Sequence, residues 1–137
     1  MKVWVGYGSE NSANLVIIGK FESTQKADEA LKLLEEATRI ARADESAGRL
    51  TAGSMTSKFS HDMMDFFRRT NFASFAYGDP EQLLYDYRVA REPGKLVLTT
   101  EELEINAFMK LFIHFGAKVE VYSAHDHGGA YGRHTRP

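Results

Sequence analysis

Three of the five histidines of this 137-residue chain fall in one polar stretch, Ser123-Ala124-His125-Asp126-His127-Gly128-Gly129-Ala130-Tyr131-Gly132-Arg133-His134. Imidazole changes charge near neutral pH and, when neutral, ligates metals. On an extended backbone, side chains two residues apart point the same way. His125 and His127 can therefore share one divalent metal or one phosphate. Asp126 would point away from that ion and would orient a ring from behind only if the chain bends. His134 can return as a third ligand through Gly128-Gly129, where glycine leaves the backbone free. The competing reading is a polar C-terminal tail, about residues 124–137, that happens to carry histidines. A single His-x-His is a common chance match, and no Glu-x-x-His or aspartate cluster elsewhere supports it.

A second candidate is the loop Gly6-Tyr7-Gly8-Ser9-Glu10-Asn11-Ser12. It lacks the lysine of a P-loop, has Asn11 where a dinucleotide fingerprint needs glycine, and opens no helix. It reads as a hairpin loop of small residues. Ser9, Asn11, Ser12 and Asn14 can still line one end of a sheet and hydrogen-bond a ligand. If the first and last strands are antiparallel neighbours, this loop and the histidine segment lie at opposite ends. If they are parallel, both lie at one end and a composite site follows.

The third candidate is aromatic. Phe72, Phe75, Tyr77, Tyr85 and Tyr87 lie near Arg68, Arg69, Arg88 and Arg91. Aromatic faces with interleaved arginine stack single-stranded bases, and the same enrichment marks protein interfaces. Ordinary core packing is the plainer account. An interface comes next, and nucleic acid last, because 17 basic against 19 acidic residues leave a net charge of −2. Glu101, Glu102 and Glu104 resemble paired carboxylates, but a capping box and first helical turn explain them. Nucleophilic catalysis has little support. The chain has no cysteine, which also excludes disulfides and thiolate metal sites. No serine sits in a Gly-x-Ser-x-Gly elbow. His61 reads as structural, in the first turn of a helix. His114 sits near a helix C-terminus, where a cation is favourable.

The elements that would position these groups follow from periodicity. Residues 3–7 and the continuous apolar run 15–18 read as a hairpin, and the second strand should be central and buried on both faces. Ser23 or Thr24 caps a long helix with Ala27, Ala30, Leu31, Leu34, Thr38 and Ala41 on its apolar side and Gly48 as its stop. Ser60 starts another helix, with Phe59 and Met64 spaced as a hydrophobic staple. Asp79-Pro80-Glu81-Gln82 starts a short third, with Asp79 as cap and proline at the first position. Tyr85, Tyr87 and Val89 then alternate with polar residues, Pro93-Gly94 fits a type II turn, and 95–100 returns as a strand. Thr99 with Glu102 makes a capping box for a helix over 102–115, which should bury Phe108, Leu111, Phe112 and Phe115. Residues 118–123 form the last strand.

The order ββα, one or two short helices, then ββαβ gives a single α+β domain over residues 1–137. Its antiparallel or mixed sheet of about five strands has helices packed on one face. Hydrophobic content of 43% excludes a disordered chain. No apolar run approaches the roughly 20 residues of a membrane span or the h-region of a secretory signal, so a cytoplasmic protein without membrane association is expected. The leading functional reading is a binding or protein-interaction module of undetermined ligand, without cofactor, homo-oligomeric or a subunit of a larger assembly. The alternative is a small hydrolase or phosphoesterase using a divalent metal at His125 and His127. A nucleic-acid-binding accessory protein is third.

Overall fold

Leu15, Val16, Ile17 and Ile18 leave no polar face to present to water, and the chain places them centrally. The structure, a computed structural model, describes residues 14–50 and 58–123. Strand β1 (Leu15–Lys20) lies between β3 (Lys95–Thr100) and β4 (Lys118–Ser123), antiparallel to both, and β2 (Tyr87–Glu92) flanks β3. The sheet order is β2-β3-β1-β4. Residues 15–18 are buried on both faces, as their composition requires. The expected hairpin partner of β1, residues 3–7, lies outside the described residues, and β3 and β4 already occupy both edges of β1. The described sheet therefore has four strands, all antiparallel, where about five were expected.

The helices cover one face. α1 (Thr24–Ser46) begins where extended Ser23 accepts the Lys26 N–H at 3.1 Å. Its buried side is Ala27, Ala30, Leu33, Leu34, Ala37, Ile40 and Ala41. Leu31 and Thr38, expected on that side, sit at its margin, because α1 is gripped by other helices as well as by β3. α2 (His61–Thr70) is capped by Ser60, which accepts the Met63 N–H at 3.0 Å. The expected staple does not form: Met64 is exposed, while the Phe59 ring packs on Phe67 and Tyr77.

The largest differences surround α3 (Asp79–Gln82) and α4 (Asn106–His114). Gly78, not Asp79, is the cap of α3. The buried Asp79 carboxylate accepts the Ala76 N–H at 2.8 Å and the Lys110 ammonium at 2.5 Å. Gln82 bridges two helices: its Nε2 donates to Asp79 of its own helix at 3.5 Å, and its Oε1 accepts the Ala107 N–H at 2.8 Å, so α3 caps α4. The box at Thr99 fails because β3 continues through Thr100. The Thr100 hydroxyl donates to the Asp86 carbonyl at 3.0 Å and accepts the Glu102 N–H at 3.3 Å, holding 101–105 out of the helix. Phe108, Leu111 and Phe112 are fully buried, whereas Phe115 only borders the core.

One core joins Ile17, Leu96 and Leu98 of the sheet to α1, α2 and α4, with Leu83 entering from the C-cap of α3. Gly19 lets α4 approach closely, since a Cβ there would sit 2.7 Å from the Phe112 ring. On the opposite face Val16, Ile18 and Val97 form a separate buried group. Pro93-Gly94 closes β2 onto β3, with Gly94 at φ 69° as a type II turn demands.

A candidate ligand cleft at the end of the sheet

The register brings four strand termini together. Leu15, the first residue of β1, pairs with Thr100 at the end of β3 and Ser123 at the end of β4, and Tyr87 at the start of β2 also pairs with Thr100. At this end lies an open cleft of about 710 Å³ lined by Asn14, Asp86, Tyr87, Arg88, Thr99, Thr100 and Glu101. Asn14 sits at φ 49°, in the left-handed region that asparagine tolerates better than most residues. Asp86, Arg88 and Glu101 are exposed, and among the described residues their side chains make no ion pair and no hydrogen bond. One cation, two anions and the neutral Asn14 and Thr99 thus face a hollow large enough for a small ligand.

The antiparallel pairing of β1 with β4 also fixes where two sequence candidates attach. The segment carrying Ser9, Asn11 and Ser12 enters at Asn14, and the segment carrying His125, His127 and His134 leaves after Ser123. All six residues lie outside the described residues. Their attachment points, however, share one end of the sheet. A chain spans at most ~3.5 Å per residue, so His125 is tethered within about 7 Å of Ser123 and His127 within about 14 Å.

The model of one protein family matches residues 1–131. The chain belongs to DUF6375, a family of unknown function. No curated protein and no solved structure matches it.

The aromatic run of this DUF6375 chain does not form one surface. Phe72 and Phe75 are buried in a cluster with Phe66 and Phe67, so neither reaches an interface. Tyr77 is half-exposed against Phe59. Tyr87 packs on Phe108, and its hydroxyl lies 2.6 Å from that of Thr38. Burial raises its pKa, opposed by the Thr38 bond. Tyr85 donates to Glu104 at 2.9 Å and to Glu81 at 3.4 Å. Burial first, then the two glutamates, push its pKa well above the ordinary phenol value. Arg69 is paired with Asp65 and Glu36, Arg68 with Asp65, and Arg91 with Asp28. No stacking platform with free arginines results. Of the clustered arginines, only Arg88 lines the cleft.

Asp86, Thr99, Thr100 and Glu101 were absent from the sequence-based candidates for a ligand site. Glu101 was assigned to a helical first turn, and the available signal was that 95–100 already read as a strand ending beside it. His61 is the exposed first residue of α2, and the His114 ring packs edge-on to Phe72 and Phe115. Among the described residues no group of three or more His, Asp or Glu is placed to hold a metal, and no helix is long and apolar enough to cross a membrane.

Proposed function

We propose that this chain is a non-catalytic binding module that takes a small ligand in the strand-end cleft and works as an oligomer or as a subunit of a larger assembly. The observation that carries the reading is the meeting of Arg88, Asp86 and Glu101 in that cleft without partners among the described residues. A guanidinium pairs with carboxylate or phosphate in a two-pronged geometry, and carboxylates accept from an ammonium. The cleft therefore suits a ligand with both charges, of which a free amino acid is the simplest. Titration calorimetry with a panel of free amino acids, and with their N-acetyl and amide forms, tests this. At least one free form should bind, and blocking either charged end should weaken it by about tenfold, the worth of one charge-assisted contact. Asp86→Asn with Glu101→Gln should weaken the free and N-acetyl forms unequally. No binding by any free form, or binding indifferent to these changes, would overturn the reading.

The metal-dependent alternative keeps one observation in its favour: His125 and His127 are tethered to the end of the sheet where Asp86 and Glu101 stand. It predicts sub-micromolar zinc or manganese binding that weakens as pH falls through about 6.5, where imidazole protonates, and that is lost in His125→Ala with His127→Ala. The binding-module reading predicts no such tight binding.

A further inference from the structure

Strand β2 is an outer strand of the described sheet, and its pairing with β3 runs unbroken from Tyr87 to Glu92. It holds no proline, lysine or bulge, and its charges, Arg88, Arg91 and Glu92, keep a second copy away only in registers that set like charges together. Arg88, Ala90, Arg91 and Glu92 are exposed. The order of its charges is self-complementary. In an antiparallel pairing of two copies about a twofold axis at Ala90, Arg88 of each copy faces Glu92 of the other. Ala90 then faces Ala90, and Val89 faces Arg91. Opposite charges directly across a sheet stabilise it, and like charges destabilise it. Shifting the axis to Arg91 sets arginine against arginine, and shifting it to Val89 leaves Arg88 facing alanine. The small Ala90 puts no bulky side chain at the axis, where the two strands meet. Because alternate residues of an edge turn their backbone groups outward, an axis on one residue matches donors to acceptors whichever set faces out. Among the described residues Glu92 pairs with Lys95, at 3.2 Å and partly in solvent. Such a contact is weak and leaves the carboxylate able to take Arg88 of a second copy.

We propose that two copies of this chain pair antiparallel along β2 through Ala90, joining their sheets into one of eight strands. This specifies the oligomeric part of the function proposed above; Arg88 then stands at the dimer seam as well as beside the cleft, so the tests below are made without ligand. Light scattering should give twice the 15.4 kDa of one chain. R88E alone, or E92R alone, places like charges across the axis twice and should shift the mass to that of one chain. R88E with E92R restores the pairing in reverse and should restore the dimer. Both side chains are exposed, so circular dichroism should be unchanged. The cysteine-free chain allows a second, independent measurement. Opposed residues of an antiparallel pair have Cα atoms about 5 Å apart, within disulfide range, so A90C should oxidise to a covalent dimer. A monomeric wild type at high micromolar concentration, or a dimer indifferent to the single charge changes, would overturn the proposal. So would failure of the double change to rescue. These measurements involve no ligand, so they separate this failure from that of the binding site.

Discussion

The interior and the strand-end cleft treat polar groups in opposite ways. Asp44 is 3% exposed, and one carboxylate oxygen takes the Arg49 Nε–H while the other takes the Ser60 hydroxyl. Its carbonyl accepts the N–H groups of Arg49 and Leu50, so the end of α1 is bolted to the start of α2. Asp79 is matched as closely, by Ala76, Gln82 and Lys110. A buried carboxylate must find such partners or cost the fold dearly, so these sets are structural. At the cleft Asp86, Arg88 and Glu101 meet no partner among the described residues. Charged residues that converge without partners cost the fold little and remain available to something else.

The strongest way to break that contrast is Asp79→Ala. It takes the acceptor from the Ala76 N–H and from the buried Gln82 amide, and removes the partner of Lys110, whose side chain is one-third exposed and can partly return to water. A loss of about 2–3 kcal/mol in urea unfolding is expected, and a loss under about 0.5 kcal/mol would erase the distinction. An intermediate effect is expected at Tyr85, which joins α3 to the 101–105 segment. Its folded pKa lies above its unfolded value of about 10. Its contribution is complete below pH 10 and is lost as pH rises toward the folded value, because only the unfolded state then releases the proton. Unfolding free energy should therefore fall more steeply from pH 9 to pH 11 in the wild type than in Tyr85→Phe. The smallest effect sharpens the other side. Asp86→Asn with Glu101→Gln should change stability by less than about 0.5 kcal/mol, as exposed substitutions do, while altering amino-acid binding.

What was legible in the sequence was whatever depends on local pattern. The fully apolar run 15–18 could only be central. Ser23 and Ser60 announced their helices because a serine before an amphipathic run has a backbone N–H to accept. Strands 95–100 and 118–123 carried their own limits, with Pro93-Gly94 before one and Gly116 before the other. The failures share a different cause. Thr99 with Glu102 is a sound capping box by spacing, and nothing local reveals that Gln82, from another helix, caps α4 instead. Leu31 exchanged places with Leu33 because packing by several helices, not by one sheet, decides which side of α1 is covered. Of the cleft lining the sequence points to Asn14 alone as a ligand contact, for its polarity, because the rest comes from β2, β3 and the residues beside them, more than seventy residues away in the chain.

Strand order also sets the timing of assembly. The central strand is made before both strands that flank it: β3 begins 80 residues after β1, and β4 follows β3, ending at residue 123. On the ribosome Leu15, Val16, Ile17 and Ile18 must wait, with both edges open, while everything between is synthesised. Helices and the local β2–β3 hairpin can form meanwhile, but the sheet cannot close. The nascent chain therefore carries this apolar segment without its strand partners until residues 95–123 have been made. Shortening the chain before β4 would leave one edge of β1 open.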